Sequence, residues 1–165
     1  MDAYLIEVNN QQVSLSIDED AITRAVRTIL INEQIQRAQI SVALVDDPTM
    51  HDLNRRYLDH DYPTDVLSFV LEQQGQAYLE GEIIVSTDTA IRCCTEYHWS
   101  ATQELFLYVI HGMLHLVGFD DTEDSLRTEM RLRERHYLQA LNIEFPPEST
   151  IDSSQGSESS GEPQP

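Results

Sequence analysis

One segment constrains the fold more than any other: residues 105–117 read LFLYVIHGMLHLV and are apolar on nearly every side. Ser100 and Gln103 precede this segment with the spacing of a capping box, which favours a helix start at this point. Gly118 follows it and can end the helix in the left-handed conformation. Because a helix that is apolar all round has to be buried, the segment predicts a central helix around which the rest of the chain packs.

This predicted core helix carries two histidines, His111 and His115, four positions apart. Residues at this spacing project from one face of a helix about one turn apart, so that two imidazoles can reach a single metal ion. Buried imidazoles without partners would be costly. The chain reversal at Gly118 turns the next residues back toward the histidines. We therefore expect Asp121 to be the third ligand, with Asp120 either supporting it or replacing it.

Three protein ligands leave one coordination position open, as in catalytic rather than structural zinc sites. An ion in such a site lowers the pKa of a bound water toward about 7, which suits hydrolysis of a phosphodiester, an amide or an ester. Metalloproteases with an H-E-x-x-H motif have their general base directly after the first histidine. This chain has Gly112 there. The pattern therefore indicates a metal-dependent hydrolase and disfavours a protease.

The 165 residues suffice for one domain and a tail. From Pro146 onward the chain consists largely of Ser, Glu, Gly and Pro, which predicts a domain over residues 1–146 and a disordered acidic tail over residues 147–165. Within the domain, β-type and helical patterns alternate, which predicts an α+β fold with about four strands and five helices. Residues 4–8 and 13–17 are predicted to form a hairpin or one broken strand, and the other predicted strands are residues 40–45, 66–71 and 82–86. The predicted helices begin at Asp18, Asp47, Thr87 or Asp88, Ser100, and Thr122 or Asp124.

The net charge is strongly negative, at -19, from 29 acidic and 10 basic residues, and all the basic residues are arginine. Such a chain repels nucleic-acid phosphate at long range, which argues against a nonspecific nucleic-acid binder. An enzyme that engages RNA through a metal ion, a local arginine patch or a partner remains possible. Because no stretch approaches the roughly 18 apolar residues of a membrane span and the first ten residues lack a signal-peptide pattern, we expect a cytoplasmic protein.

Residues 111–121, HGMLHLVGFDD, closely resemble the signature H-G-x-L-H-L-x-G-[YF]-D-H of the YbeY family, which comprises bacterial endoribonucleases that mature ribosomal RNA. The resemblance covers roughly residues 40–140 with its motifs in the same order. The further motifs are LNRRYLDHDY at 53–62, PTDVLSF at 63–69, GEIIVS at 81–86, and a last helix with Met130 and Glu134.

The resemblance implies a single zincin-like domain with a mixed sheet and surrounding helices. It also implies a single-strand-specific, metal-dependent endoribonuclease that acts in 16S rRNA 3′ end maturation and ribosome quality control. The expected partners are ribosomal RNA, the small ribosomal subunit, and ribosomal proteins or an assembly GTPase, with neither DNA nor a membrane. The family's first two ligands correspond to His111 and His115. Its third is a histidine where this chain has Asp121, so that Zn²⁺ is the expected ion and Mn²⁺ or another divalent ion an alternative.

A second departure from the family precedes PTDVLSF. There the family places an arginine, which is thought to engage substrate phosphate, and this chain has Leu58. We expect Arg56 to act as the catalytic arginine instead, with Arg55 as the alternative, although both can equally be solvated charges on a helix face. The missing arginine and the acidic surface also favour a second interpretation, a ribosome-assembly binding factor whose metal is mainly structural.

Overall fold

In the computed structural model, which describes residues 2–57 and 65–144, two strand–helix pairs are followed by a β-hairpin and then by helices alone. The described part contains four strands and five α-helices, and the predicted α+β class is confirmed. The elements are β1 (Tyr4–Asn10), α1 (Glu19–Asn32), β2 (Ala38–Val45), α2 (Asp47–Tyr57), β3 (Val66–Gln74), β4 (Tyr78–Ser86), α3 (Thr87–Cys93), a 3₁₀ turn (Cys94–Tyr97), α4 (Ala101–Leu116) and α5 (Asp124–Ala140).

The four strands form one mixed sheet in the order β1-β2-β4-β3. β1, β2 and β4 run parallel, whereas β3 is antiparallel to β4. β3 and β4 are joined by a tight hairpin in which Gly75 has a φ of 55°, a left-handed conformation that glycine adopts without steric cost. The mixed sheet expected from the family resemblance is therefore confirmed.

Alternation along β4 separates the two faces of the sheet. Ile83 and Val85 belong to the main core with helices α1 and α4, whereas Ile84 belongs to a smaller cluster with Met50 of α2. Helices α4 and α2 therefore lie on opposite faces of the sheet.

Helix α4 is the predicted core helix. Ser100 and Gln103 form the predicted capping box, each side chain bonding to the backbone N–H of the other residue. Gly112 lies close to the sheet: a Cβ atom added there would be 3.0 Å from Cγ2 of Ile83 and 3.1 Å from Cγ2 of Val66. The absence of a side chain at Gly112 thus lets the histidine-bearing turn of α4 approach β3 and β4 closely.

Two strand and helix limits differ from the sequence prediction. Residues 13–17 are not a strand, because the Gln12 side chain accepts from the Leu15 N–H at 2.9 Å and donates to the Leu15 carbonyl at 2.8 Å. These bonds hold the segment as a loop. Helix α1 begins after the predicted cap Asp18 but ends at Asn32, earlier than the predicted end at about Gln36.

The caps of the later helices differ as well. Ser86, rather than Thr87 or Asp88, caps α3 and accepts from the Thr89 N–H at 3.1 Å. Helix α5 begins at Asp124 without a side-chain cap.

Two of the predictions fall on residues outside the described ranges. These are the tail over residues 147–165 and the substitution at Leu58. Among the helices that the structure describes, none is long and apolar enough to cross a membrane.

Candidate metal centre

The end of α4 brings the predicted ligands together. Helix α4 ends at Leu116, and Gly118, with a φ of 113°, reverses the chain. Backbone bonds from Gly118 N to His115 O at 3.1 Å and from Phe119 N to Leu114 O at 2.9 Å close the helix end. The chain then returns along the helix, which places Asp121 beside the two histidines.

Three side chains converge on one point. His111 Nε2 lies 3.1 Å from His115 Nε2, and the Asp121 carboxylate oxygens lie 3.4 Å from His111 Nε2 and 3.6 Å from His115 Nε2. A tetrahedral ion with bonds of about 2.1 Å holds its ligand atoms about 3.4 Å apart. The donor set and its spacing therefore fit a divalent metal ion.

The three side chains are partly exposed. Their exposed fractions are 25% for His111, 29% for His115 and 36% for Asp121. Among the described residues this group has three ligand side chains rather than the four of a structural site, and their partial exposure leaves room for solvent or a substrate oxygen.

Glu134 is the residue of this site to which the sequence analysis gave no role. Oε2 of Glu134, on α5, lies 2.6 Å from Nδ1 of His111. A carboxylate at Nδ1 accepts a hydrogen bond from a proton on that nitrogen, and in a neutral ring this leaves the lone pair of Nε2 for the shared point. A local signal was present, because Glu134 lies four residues after the buried Met130 and three before the buried Tyr137. It is thus on the buried face of an amphipathic helix.

The charges around His111 favour a positive group at this place. Burial lowers the pKa of the His111 imidazole, but the hydrogen bond and charge of Glu134, together with the charges of Asp65 and Asp121, outweigh it, and the pKa is raised. Asp65 is exposed as a residue, yet surrounding protein atoms desolvate its carboxyl group and raise its pKa, against the charge of His111. Such an excess of carboxylates suits a bound cation.

Hydrogen bonds to the N–H and to the carbonyl of Asp121 hold the loop that carries this residue. The Asp121 N–H donates to Oδ1 of Asp120 at 2.8 Å, and Nη1 of Arg127 donates to the Asp121 carbonyl at 3.2 Å. Asp120 also accepts from the Thr122 hydroxyl at 3.2 Å. Of the two candidates for the third ligand, Asp121 joins the histidine group and Asp120 supports the loop.

Arg56 is at the end of α2, where its Nε lies 3.4 Å from Asp52 Oδ2, and about half of its side chain is exposed. Arg55 lies 3.9 Å from the same aspartate. Since α2 packs on the sheet face opposite α4, Arg56 would have to reach past the β3 edge to contact the metal centre. Its catalytic role stays a prediction.

The fold is thus an α+β domain whose core helix directs two histidines and a following aspartate at one point, a donor set that could hold a metal ion. A family model described as Endoribonuclease YbeY matches residues 7–142. The chain belongs to the endoribonuclease YbeY family, whose members cleave RNA.

Two relatives and one solved structure illustrate the similarity. Endoribonuclease YbeY of Salinibacter ruber is 35% identical over 144 residues, which cover 82% of this chain and 91% of the relative. That of Carboxydothermus hydrogenoformans is 36% identical over 143 residues, covering 85% of this chain and 99% of the relative. The solution structure of TM1509 from Thermotoga maritima matches with a TM-score of 0.61 at 25% identity, covering 97% of this chain and all of that one.

Proposed function

We propose that the protein is a single-strand-specific, metal-dependent endoribonuclease that matures the 3′ end of 16S rRNA and acts in ribosome quality control. Membership of the YbeY family supports RNA cleavage. The observation that carries the metal dependence is the convergence of His111, His115 and Asp121 on one partly open point. Its proposed partners are ribosomal RNA, the small ribosomal subunit, and ribosomal proteins or an assembly GTPase, in the cytoplasm.

The proposed cofactor is one Zn²⁺ ion, with Mn²⁺ or another divalent ion as the alternative. Two imidazoles and one carboxylate form a donor set found in catalytic zinc sites, and the carboxylate also suits harder ions. Bound there, the ion would act as a Lewis acid toward a phosphate oxygen and lower the pKa of a coordinated water. His111, His115 and Asp121 would hold it, with Glu134 in contact with Nδ1 of His111.

Attraction of the RNA substrate to the site depends on the charges of the side chains around it. A phosphodiester approaching the site meets Asp120, Asp121 and Asp124 near the ends of α4 and α5. These carboxylates would repel it unless a cation were present. We therefore propose that a bound ion is the main group that attracts the substrate. Arg56 is proposed to add a phosphate contact from the neighbouring segment.

The test is cleavage of single-stranded and double-stranded RNA by purified protein loaded with one equivalent of Zn²⁺ or Mn²⁺. We expect cleavage of the single strand and loss of at least about 100-fold in rate for His115→Ala, because one of three ligands is gone. His136→Ala is the matched control, since His136 is an exposed histidine on α5, and it should cleave like the wild type. Equal cleavage by His115→Ala would assign the activity to a contaminant and overturn the proposal.

A second candidate function is supported by the net charge of -19, which disfavours direct RNA engagement. The protein would then be a ribosome-assembly binding factor whose metal is mainly structural. Growth of cells that lack the protein but express His115→Ala distinguishes the two. Full rescue by this variant would favour the assembly factor, and failure to rescue by a folded variant would favour catalysis.

A further inference from the structure

We propose that Glu134 is a positioning residue of the metal centre, which fixes the ring orientation and the proton of His111 so that Nε2 faces the ion. The inference rests on the metal-binding part of the proposed function and not on its RNA substrate. It concerns a residue that contacts neither the ion nor the substrate and acts through His111.

The contact between Glu134 and His111 is short and sheltered. Oε2 lies 2.6 Å from Nδ1, and the exposed fractions of the two side chains are 15% and 25%. Helix α5 is anchored on both sides of Glu134, because Met130 is 2% exposed and Tyr137 is fully buried. Packing of α5 against the core therefore holds the Glu134 carboxylate in place, unlike the carboxylate of a flexible surface side chain.

This contact determines which nitrogen of His111 can bind a cation. A neutral imidazole carries one proton, and a carboxylate at Nδ1 retains the proton there, which leaves the lone pair on Nε2. His115 Nε2 and the Asp121 carboxylate face that same atom. The negative charge also makes the imidazole a stronger donor, as in the carboxylate–histidine–zinc arrangements of known sites.

If Glu134 only stabilised α5, its removal should affect metal binding no more than removal of another buried contact of α5. Glu33 provides that comparison. Glu33 is also 15% exposed at its side chain and also bonds to α5, since it accepts from the Tyr137 hydroxyl at 2.5 Å and lies 3.8 Å from Arg133. It has no contact with the metal group among the described interactions. Removing Glu33 therefore removes contacts to α5 without touching His111.

The experiment measures the Zn²⁺ affinity of the full chain by competition with a chromophoric chelator. We expect Glu134→Ala to bind Zn²⁺ roughly 10–100-fold more weakly than the wild type, the usual effect of removing an outer partner of a ligand. Glu134→Gln should lose less, because its amide oxygen still accepts from Nδ1 although the charge is gone. Glu33→Ala and Glu33→Gln should bind within about twofold of the wild type.

A spectroscopic measurement separates orientation from stability. Co²⁺ bound to Glu134→Ala should give shifted visible bands, because the His111 ring is no longer held, whereas Co²⁺ bound to Glu33→Ala should give the wild-type spectrum. If Glu134→Ala fails to fold by circular dichroism, the two Gln variants provide the same comparison.

The inference is overturned if both Glu134 variants bind Zn²⁺ as tightly as the wild type, or if the Glu33 variants lose as much. It is also overturned if the wild type binds no Zn²⁺. Because affinity is measured without RNA, a protein that binds Zn²⁺ through Glu134 and His111 but cleaves no RNA would refute the proposed nuclease activity and leave this inference standing.

Discussion

Asp121 differs from the two histidines of the metal group in its charge and in its place on the chain. It lies on a loop beyond α4, and its carboxylate adds a negative charge where the family signature has a neutral histidine. Its backbone is held by Asp120 and Arg127. As a ligand, this carboxylate would offset part of the charge of a divalent ion and would widen the range of ions that the site could accept.

We predict that Asp121→Ala binds Zn²⁺ more than about 100-fold more weakly than the wild type, because loss of a direct ligand exceeds the cost of losing an outer partner. Elemental analysis after dialysis, combined with the chelator titration, measures the effect. Asp120→Ala is the comparison and should weaken binding less, because Asp120 holds the loop that carries Asp121 but is not in the group of three ligand side chains. Metal retained by Asp121→Ala but lost from Asp120→Ala would move the third ligand to Asp120.

Helix α4 joins the core to the metal centre, and Gly112 determines how closely it approaches the sheet. Alanine is the better helix former by about 1 kcal/mol. Here, however, the new methyl group would lie 3.0–3.2 Å from side-chain atoms of Ile83, Val66 and Ser68, on two strands that cannot move independently. Overpacking of this kind typically costs about 1–3 kcal/mol.

We therefore predict that Gly112→Ala unfolds with a free energy about 1–2 kcal/mol lower than the wild type, measured for the metal-free protein in urea. Equal or higher stability would show that α4 has room at this position.

The same crowding bears on the protease interpretation, because Gly112→Glu would create an H-E-x-x-H motif whose glutamate has no space. This variant should gain no proteolytic activity toward an unfolded protein.

Helices and strands that are set by local signals could be predicted from the sequence, whereas features that depend on side-chain contacts could not. The capping box and the all-round apolar pattern predicted α4, and Asp18 predicted the start of α1, because these signals are local. The loop over residues 13–17 was wrongly predicted as strand, since bonds from the Gln12 side chain outweigh the β-type pattern. The role of Glu134 was missed because its contact joins α4 to α5 across 23 residues.

At the scale of the whole molecule, the acidic charge is distributed unevenly around the metal centre. On the sheet face that α4 does not cover, Glu7 of β1 is in register with Ser41 of β2, which pairs in turn with Glu82 of β4. Glu80 is on the same face two residues earlier. RNA approaching this face would be repelled by its carboxylates, whereas RNA approaching α4 would meet a site where a bound divalent ion could oppose the repulsion.

This distribution predicts an unusual salt dependence for an enzyme that acts on RNA. Raising the ionic strength from about 0.01 to 0.15 M shortens the Debye length from about 30 to about 8 Å, which screens long-range repulsion but not contact with a bound ion. We expect kcat/KM for a single-stranded RNA to rise or stay level over this range, in contrast to the steep decrease shown by basic nucleic-acid binders. Removing residues 147–165, which carry Glu148, Asp152, Glu158 and Glu162, should raise kcat/KM mainly at the low-salt end. A steep decrease with salt in both forms would instead show that a local arginine cluster, and not the ion alone, dominates RNA binding.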